Sequence, residues 1–157
     1  MHIEYFQLID RIVELDIGGK TITVEAQVPE KSTIFEGHFP GYPLMPGVLL
    51  IEAMAQTSGW LLIALMKFER MPFLAAVKEA KMRGFVTPGE LLTIDANVLH
   101  EGSGYAMTEA RVRAGGKLKC NATITFSHIP FPNPELRGHM DAVAKRIGFP
   151  QQAIAHD

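Results

Sequence analysis

Two side chains in the segment FEGHFPGYPLMPGVLLIEAMAQ, residues 35–56, are of types that transfer protons: His38 and Glu52. Histidine is the usual general base near neutral pH, because its ordinary pKa is about 6.5. The neighbours of Glu52, Ile51 and Ala53, are apolar and leave it no polar face to join. A buried carboxyl group loses hydration, so its pKa rises and it stays protonated as a general acid. The residue types therefore predict an acid–base pair.

Each of these residues also has a plainer interpretation. Glu52 is compatible with an acid on the exposed stripe of a surface helix, since glutamate is rarely buried. His38 is compatible with a loop histidine that only bonds nearby backbone. Gln56 follows Glu52 by one helical turn and is expected to hold its carboxyl group in position. The sequence does not show that His38 and Glu52 meet.

The element that carries Glu52 is predicted to be a long helix that starts at Pro46-Gly47 and runs to about Phe68. It is apolar nearly all round, which indicates a helix covered on most sides. Glu52 interrupts the apolar run, so we interpret it as a core helix of a soluble protein and not as a membrane span. The first amides, of Gly47 and Val48, lie at the positive end of the helix dipole. A carbonyl group docked there would have developing negative charge on its oxygen stabilised; an ordinary helix start is the alternative.

The rest of the chain reads as antiparallel strands. Gly-Gly-Lys at 18–20 and at 115–117 separates runs rich in β-forming residues, which is typical of hairpins. Apolar and polar residues alternate over 21–28, which predicts a sheet with one covered face. Further turns at 87–90 and 102–104 predict that four or five strands follow the helix as a meander. One apolar helix and this sheet indicate an α+β domain in which the sheet curls around the helix.

Composition limits the class of function. The chain has 157 residues, 47% of them hydrophobic, which is enough for one domain with a real core. The formal net charge of −2 argues against nucleic-acid binding. A single cysteine and histidines without ligand spacing predict no disulfide framework, no metal and no other cofactor. Residues 1–16 lack the basic head of a signal peptide, so the cytoplasm is the expected compartment.

A resemblance to a known family accounts for these observations together. The run GHFPGYPLMPGVLLIEAMAQ is similar to the signature of the FabZ-type (3R)-3-hydroxyacyl-acyl carrier protein dehydratases, and weaker similarity extends over about residues 8–126. The resemblance implies a hotdog fold, a long antiparallel sheet wrapped around a central helix. It also implies homodimers, often assembled as trimers of dimers, whose sites combine His38 of one subunit with Glu52 of the other.

The same resemblance implies residue roles for the removal of water to a trans-2-enoyl product. His38 is the base at the substrate α-carbon, and Glu52 is the acid that protonates the leaving β-hydroxyl. The backbone around Leu44 orients the His38 ring. The substrate-binding set comprises Leu44, Gly47, Val48 and Gln56. Alternatives in the same fold are a dehydratase–isomerase, an acyl thioesterase and a non-catalytic acyl-thioester binder; glutamate at position 52 favours plain dehydration.

Two further groups have less specific signals. Lys78, Lys81 and Arg83 lie where the family contacts its acidic carrier protein, and a basic patch would steer that partner. A solvated strand face is the alternative. Three apolar side chains are expected either to line an acyl tunnel or to pack in the core. They are Phe73, Met82 and Phe85.

The segment 127–157 differs from the predicted hotdog domain, residues 1–126. It is rich in proline, and we expect an appendage outside the core, with a short helix over 134–147. The resembled family does not need a segment of this length. We therefore hypothesise a specialised paralogue that acts on unusual or very long acyl chains.

Overall fold

The computed structural model describes residues 1–150, and this part of the chain forms six strands and three α-helices. The strands pair antiparallel in one sheet of order β1-β2-β4-β5-β6-β3, and α2 packs against β2 to β6. The predicted sheet around a central helix is thereby confirmed. The elements are β1 Arg11–Asp16, β2 Thr21–Gln27, α1 Thr33–Gly37, α2 Gly47–Leu65, β3 Met71–Met82, β4 Leu91–Glu101, β5 Tyr105–Ala114, β6 Lys117–Ile129 and α3 Pro134–Ile147.

Both predicted Gly-Gly-Lys hairpins are present. The first joins β1 to β2, and the second joins β5 to β6. Gly115 and Gly116 have φ values of 56° and 75°, which glycine adopts without steric cost. Along β2, the residues that the alternation assigned to the covered face are buried against α2: Ile22, Val24 and Ala26.

The predicted meander is wrong in one place. The strands β4, β5 and β6 follow one another as expected, but β3 pairs with β6 at the far edge and not with β4. The turn at 87–90 is therefore not a hairpin turn between β3 and β4. The amide of Gly89 in this turn donates to Val28 O and so connects it to the end of β2. The residues of a turn indicate that the chain reverses locally. Which strands become neighbours depends instead on how the sheet packs over α2.

The helix α2 is shorter than predicted. Pro46 is its N-cap, and it ends at Leu65 because Lys67 and Phe68 have positive φ values. Phe68 turns back into the core and is fully buried. Of the helices in residues 1–150, α2 alone is long and apolar enough to cross a membrane, and 67% of its most apolar window is buried within the fold. It is a core helix.

The expectation that the C-terminal segment stays outside the core is wrong. Helix α3 forms over the predicted residues and is capped by Asn133, whose side chain accepts from the Leu136 amide. Ala144, Ile147 and Phe149 are buried in the main hydrophobic core. An amphipathic helix lowers its free energy by burying its apolar face, and α3 contacts β1 and, through Arg137, Phe68 of the core. The domain boundary at residue 126 stays a prediction, and residues 151–157 lie outside the described part.

Candidate active site

Helix α1 places His38. Ser32 caps this short helix by accepting a hydrogen bond from the Ile34 amide at 3.1 Å. His38 follows as the C-terminal cap, and its own amide donates to Ile34 O at 3.0 Å. The backbone of His38 is thus held by the helix that precedes it.

The ring of His38 is oriented by the backbone of Leu44. Nδ1 lies 3.0 Å from Leu44 O, and a carbonyl oxygen only accepts, so Nδ1 carries the proton. Nε2 then keeps its lone pair and is available as a base. The Leu44 amide donates back to His38 O at 2.9 Å, and the Phe39 ring stacks on the imidazole with centroids 4.0 Å apart. The loop therefore presents one defined tautomer.

A first cavity, of about 180 Å³, opens beside His38 and the start of α2. Apolar side chains dominate its walls, among them Phe39, Met82 and Phe85. The amides of Gly47 and Val48 lie in the first helical turn, where helix geometry provides no acceptor, and within residues 1–150 neither donates to another group. This cavity combines the His38 imidazole with the free amide of Gly47 at a helix N-terminus, whereas Val48 is not among its lining residues.

Glu52 lies in the second turn of α2 and is half-buried. It is therefore neither the buried carboxyl group nor the exposed surface acid that the sequence left open. Gln56 Nε2 donates to Glu52 Oε1 at 3.2 Å and to Phe6 O at 2.7 Å. Gln56 Oε1 accepts from the Leu8 amide at 3.2 Å. Gln56 thus joins the carboxyl group to the N-terminal segment.

A second cavity, of about 230 Å³, begins at Glu52 and has mostly apolar walls. His38 is absent from its lining, and Glu52 is absent from the lining of the first cavity. Within one chain, the base and the acid therefore lie in different cavities. One cavity thus holds His38 and the other holds Glu52.

Comparisons with known proteins identify the family of this chain. A FabA-like domain matches residues 1–123. The 3-hydroxyacyl-[acyl-carrier-protein] dehydratase FabZ of Lactiplantibacillus plantarum is 37% identical over 119 residues, which cover 75% of this chain and 80% of the relative. The enzyme of the same name from Symbiobacterium thermophilum is 33% identical over 135 residues, or 85% of this chain and 94% of the relative. The chain is a FabZ-type member of the FabA-like family.

Solved structures confirm the hotdog fold of this FabZ-type chain. A conserved protein from Pseudomonas aeruginosa superimposes with a TM-score of 0.63 at 26% identity, covering 80% of this chain and 91% of the other. A hypothetical thioesterase from Streptococcus pneumoniae, solved with coenzyme A, has a TM-score of 0.62 at 17% identity and covers 78% and 88%. The second similarity concerns the fold alone.

The basic residues predicted to contact a carrier protein are exposed in this FabZ-type chain. Lys78 and Lys81 lie on β3, separated by a bulge in which Glu79 has a φ of 52°. Arg83 follows the strand, and its Nε donates to Asn121 Oδ1 at 2.7 Å. The carrier contact itself stays a prediction.

The alternative that the three apolar residues of the predicted acyl tunnel pack in the core is wrong. Phe73, Met82 and Phe85 are 38%, 47% and 66% exposed. Phe73 lines the cavity of Glu52, whereas Met82 and Phe85 line the cavity of His38. All three lie on or just after the edge strand β3, where no further strand covers them within residues 1–150.

Sequence analysis missed two residues that line the cavity of Glu52. Trp60 lies two turns further along α2, and Met140 comes from α3. No motif marks either of them. The amphipathic pattern over 134–147 is the signal that a helix there would pack on the domain and add to its cavities.

Proposed function

We propose that the chain removes water from a (3R)-3-hydroxyacyl thioester carried on acyl carrier protein and releases the trans-2-enoyl thioester. The supporting observation is the His38 imidazole, held by Leu44 O with Nε2 free, in the same cavity as the free amide of Gly47; Val48 follows Gly47 in the first turn of α2. Membership in the FabZ-type family supplies the substrate class. Every step is a proton transfer or an elimination, so the residues present suffice.

The geometry supports a sequence of proton transfers. The thioester carbonyl accepts hydrogen bonds from the Gly47 and Val48 amides, which makes the α-proton more acidic. His38 Nε2 removes this proton, and the electron pair of the C–H bond forms the double bond. Glu52 protonates the β-hydroxyl group, whose C–O bond breaks as water leaves. Solvent then returns a proton to Glu52 and removes one from His38.

This mechanism needs two chains, because His38 and Glu52 lie in different cavities of one chain. We infer a homodimer in which each site takes its base from one subunit and its acid from the other. Within residues 1–150, β3 pairs only with β6, so its other edge is free. Exposed apolar side chains along β3, including Leu74 and Val77, favour pairing with a second copy. A trimer of dimers rests on the family resemblance alone.

Two finer points belong to the same proposal. The exposed residues Lys78, Lys81 and Arg83 dock the acidic carrier protein, since opposite charges steer such encounters. The chain works in the cytoplasm. In support of that compartment, its spanning-length helix is a core helix, and its single cysteine, Cys120, is a buried free thiol, as in reducing compartments.

Mixing two inactive variants tests the reaction and the shared site together. With (3R)-3-hydroxyacyl carriers as substrates and mass spectrometry of the products, we expect loss of water. His38→Ala and Glu52→Gln should each lower kcat by about 10²–10⁴-fold. Co-expressed at equal amounts, the two variants form heterodimers with one intact site, which restores about a quarter of the wild-type activity per chain.

Each other outcome has a definite meaning. Retained turnover in either single variant would refute the assigned roles. Absence of recovery on mixing, with heterodimers demonstrated, would place both residues of one site on one chain. Free acid as the product would identify a thioesterase, and a cis-3-enoyl product would identify a dehydratase–isomerase.

A further inference from the structure

We propose that Met140 of helix α3 closes the acyl cavity toward an outer groove and sets the longest acyl chain that the enzyme accepts. The inference deepens the proposed function and rests on it, because the occupant is the acyl chain of that substrate. The experiment below keeps the two apart.

The cavity that begins at Glu52 has the shape of a chain-binding site. Its α2 wall follows one face of the helix from Glu52 through Gly59 to Ile63. At a rise of about 1.5 Å per residue, this face is about 16 Å long. The opposite wall comes from the start of β3 and from Phe126, and the lining is mostly apolar. An acyl chain whose hydroxyl group lies at Glu52 would extend along this face toward α3.

Met140 stands at the boundary of this cavity. A neighbouring groove of about 200 Å³ lies between the N-terminal segment and α3, with Phe6, Val143 and Arg146 in its walls. The inner cavity and the outer groove share Gln56, Trp60, Met71 and Met140. Among the described residues of α3, Met140 alone lines the inner cavity. Its side chain therefore separates the chain-binding cavity from the groove outside.

The backbone behind Met140 is firmly anchored. Ile147 and Phe149 are buried in the main core, with the Phe149 ring 5.5 Å from that of Trp60. The Arg137 guanidinium lies 4.2 Å from the centroid of Phe68 and donates to its carbonyl oxygen. A substitution at position 140 will therefore change the volume of the cavity without moving helix α3. Methionine is flexible and fills irregular gaps, which suits a wall between two cavities.

The first test is an activity series over substrate length. We compare wild type with Met140→Phe, Met140→Ala and the control Val143→Ala, which alters the outer groove only. The substrates are (3R)-3-hydroxyacyl carriers of increasing length, from the four-carbon chain upward. Met140→Phe should lower kcat/KM on the longest accepted substrates by about tenfold or more and leave the four-carbon substrate within about twofold. Met140→Ala should extend the series to longer chains.

The second test measures chain binding without turnover. Trp60 is the single tryptophan of the sequence and lines the inner cavity. Saturated acyl-pantetheines with a terminal bromine should quench its fluorescence once the chain is long enough to reach it. Met140→Phe should shorten the longest chain that binds, Met140→Ala should lengthen it, and Val143→Ala should leave it unchanged.

Unchanged length profiles in both Met140 variants would overturn the inference, and so would an equal shift in Val143→Ala. If the wild type dehydrates no substrate of any length, the proposed function fails. The quenching series then still decides whether Met140 limits chain length, since it needs no chemistry.

Discussion

At the scale of the residue, Gln56 connects parts of the site that are far apart in the sequence. Its amide group contacts Glu52 within α2 and bonds the backbone of Phe6 and Leu8 in the N-terminal segment. The helical spacing predicted the contact with Glu52. The two backbone contacts depend on the fold, because they join residues about 50 positions apart. We therefore propose that Gln56 positions the carboxyl group of Glu52.

Gln56→Leu should lower both stability and kcat. It leaves the Leu8 amide and the Phe6 carbonyl without their partner, which costs about 1–3 kcal/mol in the free energy of unfolding. Glu52 loses its lateral contact, so we expect kcat to fall more than KM changes. Urea unfolding and steady-state kinetics measure the two effects. The control is Gln27→Leu, which removes side-chain bonds to the carbonyls of Val28, Gly89 and Glu90 and no bond to Glu52. An equal loss of kcat in that variant would show that Gln56 acts only through stability.

At the scale of the element, the pairing of β3 with β6 places a histidine in a partly apolar setting. His128 on β6 pairs with Pro72 of β3, and within residues 1–150 its buried Nε2 has no hydrogen-bond partner. Burial lowers the pKa of His128, the charge of Arg70 lowers it further, and Glu101 opposes the shift. The unfolded chain therefore binds more protons than the folded chain just below pH 6.5.

The free energy of unfolding should consequently fall as the pH drops below about 6.5, the ordinary histidine pKa. In His128→Gln it should depend less on pH over this range. Thermal melts of the wild type and the variant between about pH 5 and 7.5 measure it. The control is His139→Gln, which removes an exposed histidine on α3. An undiminished acid dependence in His128→Gln would contradict the assignment.

At the scale of the whole molecule, the β3 edge of the sheet lies beside the two cavities. The edge strand β1 is followed in the sheet by β2, and β3 forms the other edge beside β6. The exposed apolar residues of β3 lie next to both cavities, because Phe73 lines one and Met82 lines the other. A second copy paired along β3 would thus cover the two half-sites together.

A lysine in the middle of β3 should separate the subunits of the proposed homodimer. Val77→Lys places a charge on the free edge, which disfavours strand pairing. We expect a folded monomer by sedimentation and circular dichroism, with kcat/KM at least about a hundredfold lower, since acid and base no longer meet. Val13→Lys on β1 is the matched control: Val13 is 47% exposed and Val77 37%. A fully active monomer would show that one chain completes the site.

Much of the fold follows from residues close together in the sequence. Gly115-Gly116 specifies a hairpin through its own φ values, and the alternation in β2 specifies which face is covered. The apolar run of α2 specifies a core helix, and the loop from His38 to Leu44 specifies the orientation of the imidazole. Each of these features depends on interactions within a few residues or on the solvation of one face, so the sequence by itself determines it.

Only the tertiary structure decided which elements meet. Strands pair through backbone hydrogen bonds, which every strand offers, so the side chains of β3 did not reveal that it pairs with β6 and not with β4. The amphipathic pattern of α3 also did not show that its apolar residues join the main core, or that Met140 lines the same cavity as Trp60. The separation of His38 and Glu52 into two cavities likewise depends on how the sheet wraps the helix. Such contacts are chosen by the packing of the complete core, in which every element competes for the same apolar surface.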